Sequence, residues 1–210
     1  MFRSVHTVVF VIGLLASQWA TACSELDIVL SSQTQIDRFS IDYADCSSPR
    51  SLRIEEASPG NIKNLAGLSS LRSITGTLQI FRNTALESLA GLEGLTAVGD
   101  DLDLFSNDRL RTLNGLDNLR SVGGFLDVSF SDYLTDIDAL SDLDHVGTFL
   151  RLFHLYGLHD CRGIAPYINS LSLAERSTRV KVGVEGDLPR NGTGANTIQA
   201  CLNSAQLLTT

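Results

Sequence analysis

The feature that most constrains this chain of 210 residues is a repeat. Four segments with one pattern follow each other at a period of 24 residues without slippage. They are NLAGLSSLRSITGTLQIFRNTALESL from Asn64, SLAGLEGLTAVGDDLDLFSNDRLRTL from Ser88, TLNGLDNLRSVGGFLDVSFSDYLTDI from Thr112 and DIDALSDLDHVGTFLRLFHLYGLHDC from Asp136. Leu68, Leu92, Leu116 and Leu140 form one apolar column, and Leu71, Leu95, Leu119 and Leu143 a second. Further columns are Ile74/Val98/Val122/Val146, Leu78/Leu102/Leu126/Leu150, Ile80/Leu104/Val128/Leu152 and Leu86/Leu110/Leu134/Leu158. A unit this short cannot bury its own apolar positions. Stacking the units turns each column into a continuous internal ladder, the physics of a solenoid.

Within each unit the pattern assigns the walls. Leu78 and Ile80 alternate with positions that face out, so residues 77–81 read as a short strand. The G-L-x-x-L spacing beside it suits one helical or 3₁₀ turn on the opposite wall. Asn83 and Asn107 fall where the chain bends after the strand, where a stacked side-chain amide can satisfy inward-facing backbone groups. Ser131 and Leu155 take that position in the later units, so the amide stack is expected to weaken toward the C-terminus. The flanks read as degenerate end units. Leu52 and Ile54 place a strand before Leu78, Ile62 and Leu65 match Leu86 and Leu89, and Ile164 and Tyr167 match Leu140 and Leu143. An insertion then moves the next strand to 179–184. The expected fold is mainly β: a right-handed leucine-rich β-solenoid with short helical turns and disulfide-capped ends.

The first 22 residues read as an export signal: Arg3 and His6, an apolar run from Thr7 to Ala16, and the small-x-small Ala20-Thr21-Ala22 before Cys23. The apolar run is about half of the roughly 20 residues that span a bilayer, and no later stretch replaces it. The four cysteines form an even set, which in an exported chain suggests two disulfides. Cys23 and Cys46 lie 23 residues apart, about one unit, and Cys161 sits in the column of Leu89, Leu113 and Ile137. Cys23–Cys46 and Cys161–Cys201 are therefore the expected pairs, against two other connectivities. Open solenoid ends need such caps. The alternative for Cys23 is a lipoprotein anchor, although Ala20-Thr21-Ala22-Cys23 lacks the usual branched residue of a lipidation box. The net charge of −8 becomes −9 once the leader, with its single cation and no acid, is removed. An acidic chain without a basic stripe argues against nucleic acid as partner. Asn191-Gly192-Thr193 is the one glycosylation sequon.

If Leu78 and Ile80 point inward, one outward column reads Gln79, Asp103, Asp127, Arg151 and the next Phe81, Phe105, Ser129, Phe153. Phe125 and Phe149 precede the inward Leu126 and Leu150. A row of aromatics on a water-facing sheet costs solubility unless something covers it, which marks it as a binding face. Phe81, Asp103, Phe105, Asp127, Arg151 and Phe153 are the candidate ligand-binding residues. The plainer explanation is that a terminal segment of the same chain buries them. G-x-S-x-G, H-E-x-x-H and P-loop patterns are all absent from the sequence. Asp100, Asp101, Asp103 and Asp127 imitate the paired carboxylates of polysaccharide-acting β-helix enzymes, or a Ca²⁺ site, but a solvated acidic face accounts for them. His154, His159, Asp160 and Cys161 are explained by turn positions and a disulfide rather than by a metal. Neither a metal nor a cofactor is expected.

The strand and turn Gly76-Thr-Leu-Gln-Ile-Phe-Arg-Asn-Thr-Ala-Leu86 (G-x-L-x-I-x-x-N-x-x-L) and the preceding G-L-x-x-L-x-x-[IV]-x-G from Gly67 to Gly76 resemble the receptor L-domain family. That is the leucine-rich β-solenoid of growth-factor-receptor ectodomains, fungal cell-wall organisation proteins and bacterial surface proteins. The segment from Cys23 to Cys46 looks like the family's N-terminal cap. The resemblance covers residues 23–201 and implies an N-cap at 23–62, regular repeats at 64–161, a C-cap at 162–201 and a tail at 202–210. It implies a non-catalytic recognition or adhesion module, secreted or at the cell surface, whose partner is an extracellular protein or a cell-wall glycan. A secreted inhibitor of another protein, or a polysaccharide-acting enzyme, is the competing expectation. The cysteine-rich domain, second L-domain and kinase of the complete receptors have no counterpart in this sequence.

Overall fold

The computed structural model describes residues 22–183. The leader, Asn191, Cys201 and the tail lie outside the described residues. Along the chain come β1 (Asp27–Leu30), α1 (Gln33–Asp37), α2 (Phe39–Asp42), β2 (Ser51–Ile54), β3 (Ser73–Ile74), β4 (Leu78–Phe81), β5 (Ala97–Val98) and β6 (Leu102–Phe105). They are followed by β7 (Ser121–Val122), β8 (Leu126–Ser129), β9 (His145–Val146), β10 (Leu150–Phe153), α3 (Ala165–Ser170), α4 (Leu173–Arg179) and β11 (Val180–Gly183). The protein is mainly β, with two parallel sheets and a few short helices.

The large sheet runs β1-β2-β4-β6-β8-β10-β11, every neighbour parallel. Its register reproduces the sequence columns: Leu78 faces Leu102, Leu102 faces Leu126 and Leu126 faces Leu150, with Ile80, Leu104, Val128 and Leu152 beside them. Parallel strands need a long crossover, and the remaining residues of each repeat supply it. Part of that crossover is itself a strand. Ile74, Val98, Val122 and Val146, visible in the sequence only as an apolar column, belong to a four-stranded parallel sheet, β3-β5-β7-β9. Side chains from both sheets and from the turns between them share one buried cluster. The large sheet's inward leucines are at most 1% exposed from β4 to β10.

The G-L-x-x-L segment forms 3₁₀ turns at Ala66–Leu68, Asp138–Leu140 and Arg162–Ile164, as expected. The two middle units bend differently there, with Gly91 and Gly115 at φ of +116° and +112°. Glycine is required twice over at these positions. A Cβ would meet the carbonyl oxygen of Leu65 at 2.1 Å or that of Leu89 at 2.0 Å, and the backbone conformation excludes L side chains. The next residue in that column, Ala139, lies in a 3₁₀ turn with negative φ and tolerates its methyl group.

Each end of the described residues departs from the regular repeat. At the N-terminus Cys23 and Cys46 are disulfide-bonded with Cα atoms 5.2 Å apart. β1 pairs with β2, and Ile36 of α1 and Phe39 of α2 are fully buried against the cluster. Ser32 caps α1 by accepting from the Gln35 backbone N–H at 3.3 Å. At the C-terminus, α4 starts with a capping box in which the Ser172 side chain and Glu175 satisfy each other's backbone N–H groups. β11 then adds to β10, one residue inside the strand expected at 179–184. Cys161 is buried and disulfide-bonded. The assignment of Cys201 as its partner falls outside the described residues.

The turn after each large-sheet strand carries the amide stack. Asn83 and Asn107 are fully buried. The Asn83 side chain donates to Ile54 O and to Asn107 Oδ1, both at 3.1 Å, and Asn107 donates to Ile80 O at 2.7 Å. Asn107 Oδ1 also accepts from the Asn83 backbone N–H at 3.2 Å, and Asn83 Oδ1 accepts from that of Glu56 at 3.1 Å. The stack ends there. Ser131 is buried with no partner for its hydroxyl, and Leu155 has no polar group to offer.

Candidate functional site

The outward face of the large sheet carries three rows of side chains that cross the strands. The middle row is Val29, Arg53, Gln79, Asp103, Asp127, Arg151 and Lys181, fixed by the pairings of neighbouring strands. One flanking row ends in Phe125 and Phe149, at the start of β8 and β10. The other holds Phe81, Phe105, Ser129 and Phe153, at the ends of their strands. Residues four apart along a strand put the two aromatic rows about 13 Å apart, with adjacent strands about 4.8 Å apart. On the N-terminal half the face is indented. A shallow depression of about 530 Å³ is lined by Asp27, Val29, Ser51, Arg53, Gln79 and Asp101.

The structure brings Asp103, Asp127 and Arg151 together on three successive strands. Arg151 forms an ion pair with Asp127, and Ser129 Oγ donates to Asp127 Oδ1 at 2.9 Å. These contacts bury Asp127, which is only 2% exposed although it stands in the outward row. Asp103 lies next to it with less support. Its Oδ1 is buried without a hydrogen-bond partner, as is the Nε of Arg151. Burial, and then the negative charge of Asp127, push the Asp103 carboxyl above its ordinary value, with Arg151 acting in the opposite direction. The middle row thus holds an ion pair, with one guanidinium N–H unmatched, beside one under-solvated carboxyl.

The aromatics are partly buried by one another. Phe125 and Phe149 stack on each other, with planes 9° apart and centroids 5.3 Å apart, and Lys181 stands 4.7 Å over the Phe149 ring. Across the face, Phe105 packs on Phe130 at 5.0 Å, and Phe130 meets Phe153 at 6.0 Å and stacks on His154 at 4.4 Å. His154 Nδ1 lies 3.1 Å from Tyr156 Oη. Phe81 stands apart, with the Arg53 guanidinium 4.4 Å over its ring and that of Arg82 at 5.9 Å.

Phe130 and His154 are not among the residues that strand alternation picks out, yet they join its aromatics into one cluster. Both are the first residue after a strand, and both take the left-handed backbone conformation, at φ 55° and 50°. Arg82 and Ser106 do the same in the two preceding units, at φ 56° and 54°. The signal is present as a column, Arg82/Ser106/Phe130/His154, but strict alternation ends with the strand and gives no direction for a residue in the turn. Asp101, named among the acidic residues, is a backbone support: its Oδ1 accepts from the Phe125 N–H at 3.0 Å. His159 turns back to Gly157 O at 2.7 Å, away from His154's aromatic neighbours. Among the described residues no group of three or more His, Cys, Asp or Glu is placed to hold a metal ion, and no helix is long and apolar enough to cross a membrane. Comparisons with protein-family models, with curated proteins and with solved structures found no match.

Proposed function

We propose that this chain is a non-catalytic, exported recognition or adhesion module, a right-handed leucine-rich solenoid of receptor L-domain type, acting at a cell surface or wall. It binds an extracellular protein or a wall glycan through the outward face of the large sheet. The observation that carries this reading is the aromatic cluster Phe105–Phe130–Phe153–His154, built on that face and held partly open to water. Burying such rings inside the core would have been the cheaper use of them. The in-register leucine columns and the Cys23–Cys46 bond accord with the family resemblance and with an oxidising location.

A polysaccharide-cleaving enzyme is the second reading, and Asp103 favours it: a carboxyl raised by burial beside a second carboxylate is the arrangement of a general acid. Asp127 weighs against it. A nucleophile or base must reach the substrate, and Asp127 is covered and committed to Arg151 and Ser129. Two variants separate the readings. Labelled full-length mature protein is applied to cells of the organism that exports it. The Phe81→Ala/Phe105→Ala/Phe153→Ala variant is expected to lose at least about ten-fold in affinity, with the far-UV spectrum unchanged. Asp103→Asn is expected to keep binding within about three-fold. Wild-type binding by the triple variant overturns the face. Wall hydrolysis by wild type that Asp103→Asn abolishes overturns the non-catalytic reading.

A further inference from the structure

We infer that Arg109, Arg111 and Tyr133 form a binding site for a single tetrahedral oxyanion, a phosphate or sulfate group. The site lies on the wall that the chain enters after the turn following β6. It does not depend on the strand-face reading.

The repeat builds the site. Leu110 and Leu134 are fully buried in one column. The residues beside them, Arg109 and Arg111 in one unit and Tyr133 in the next, are exposed. The Thr135 N–H donates to Arg111 O at 3.1 Å, as the Arg111 N–H donates to Glu87 O at 2.9 Å, so the units stack closely here. Arg109 and Tyr133 hold the same position in successive units. Arg111 lies diagonally across, its guanidinium carbon 6.0 Å from the centre of the Tyr133 ring. Together the three line a depression of about 180 Å³. The flanking units contribute only Ala85 and Gly157 to the Arg109–Tyr133 column. Neither is large enough to cover it, and Tyr133 is 59% exposed.

The state of the two guanidiniums points to an anion. Among the described residues, every other arginine has an ion pair or donates from its side chain to an oxygen of the protein. Arg109 and Arg111 do neither. Two cations thus share one depression without an acid between them, on a chain with 24 acidic residues. An anion held between them relieves their mutual repulsion.

Donors and charge select the class of anion. Each guanidinium presents five N–H donors and no acceptor, and Tyr133 adds a phenol O–H. A phosphate or sulfate group brings about two negative charges and at least three acceptor oxygens, enough to answer both guanidiniums and the phenol. A carboxylate brings one charge and two oxygens, and leaves a cation unmatched. Glu87, one unit before Arg111, and Asp108, next to Arg109, flank the site and pair with neither arginine. Their charges repel a polyanion, so the site takes one group rather than a charged polymer.

The test is isothermal titration calorimetry of the folded, disulfide-bonded mature protein at neutral pH and constant ionic strength. The probes are inorganic phosphate, sulfate, their methyl monoesters and acetate. Phosphate or sulfate is expected to bind saturably at one site, at least about ten-fold more tightly than acetate. The methyl esters separate two sources of the group, and both outcomes uphold the site. Binding within about three-fold of the inorganic ion identifies an esterified group on a larger molecule, and its loss identifies the free ion. Arg109→Gln and Arg111→Gln change exposed side chains and leave the core intact. Each is expected to weaken binding about ten-fold or more. Arg120→Gln removes another exposed cation, one already paired with Asp142, and is expected to leave binding unchanged. Absence of saturable binding by both ions, acetate binding as tightly, or unchanged binding by Arg109→Gln/Arg111→Gln overturns the inference. An equal loss in Arg120→Gln reduces the effect to net charge and overturns it as well.

Discussion

The turn that follows each strand of the large sheet is made in two ways, and the boundary runs between Asn107 and Ser131. In the earlier units a buried asparagine amide meets the backbone groups of the turn, and the left-handed residue before it is Arg82 or Ser106. In the later units the amide is replaced by Ser131 or Leu155, and the left-handed residue is Phe130 or His154. A residue with a side chain in that conformation costs roughly 1–2 kcal/mol relative to its ordinary helical or strand state. An aromatic there persists only where neighbours hold it. Phe105, Phe153 and Tyr156 do so. The interior is common to both halves, while the later half gives up a hydrogen-bonded turn and gains an aromatic ridge on the outer face. One half carries the hydrogen-bonded turns and the other the aromatic ridge.

Leu102→Ala and Leu150→Ala remove equivalent, fully buried side chains from the two halves. Each is expected to cost about 2–5 kcal/mol in chemical denaturation, and equal costs to within about 1 kcal/mol show that the interiors are alike. The asparagine stack comes next. Asn107→Ala strands Ile80 O and the Asn83 N–H and is expected to cost about 2–4 kcal/mol. Ser131→Ala, one unit later, removes only a hydroxyl without a partner and is expected to be neutral or to stabilise by up to about 1 kcal/mol. Equal losses at the two positions erase the distinction between the halves.

On the outer face, Phe130→Asn separates the stability of the turn from binding. Asparagine tolerates the left-handed conformation, so stability is expected to stay within about 1 kcal/mol of wild type while surface binding falls. Loss of both together makes Phe130 a structural residue.

The smallest expected effect depends on pH. The Asp103 carboxyl is raised in the fold, by burial and by Asp127, so the folded chain holds that proton more firmly than the unfolded chain. The group therefore subtracts from stability, fully above its raised pKa and no longer once the pH falls below the ordinary carboxylate value. Asp103→Asn is expected to melt about 1–3 °C above wild type at pH 7, with the difference closing below about pH 4. A difference that grows on acidification contradicts the assignment. Asp27, held down to about 2 by Arg50 and then Ser51, has the opposite sign and does not titrate in the window between.

The interior is legible in the sequence because it repeats. Each column is a single physical demand made once per unit, and the recurrence of Leu78, Leu102, Leu126 and Leu150 is enough to announce a parallel register. β1 carries the same signal in a weaker form: Ile28 and Leu30 precede Leu52 and Ile54 by 24 residues and pair with them in register, but this copy lies outside the unbroken run of repeats that starts at Asn64. The second sheet stays hidden because its strands hold only two residues each, too few for alternation to show. On the outer face the rows are correct as positions, but the burial of Asp127 comes from an ion pair and a serine that alternation cannot foresee. The ridge contributed by Phe130 and His154 depends on a backbone conformation outside the strand, where a period of two carries no information.

The most direct test of the strand face as the recognition surface is hydroxyl-radical footprinting of the mature protein, free and bound to cells or walls of its source. Phe105, Phe130, Phe153 and Tyr156 are expected to lose reactivity on binding. Ile41, Tyr133 and Leu173, exposed elsewhere at 68%, 59% and 71%, are expected to keep theirs. Protection at Ile41, Tyr133 or Leu173 with the ridge unchanged would place recognition on another surface and contradict the account.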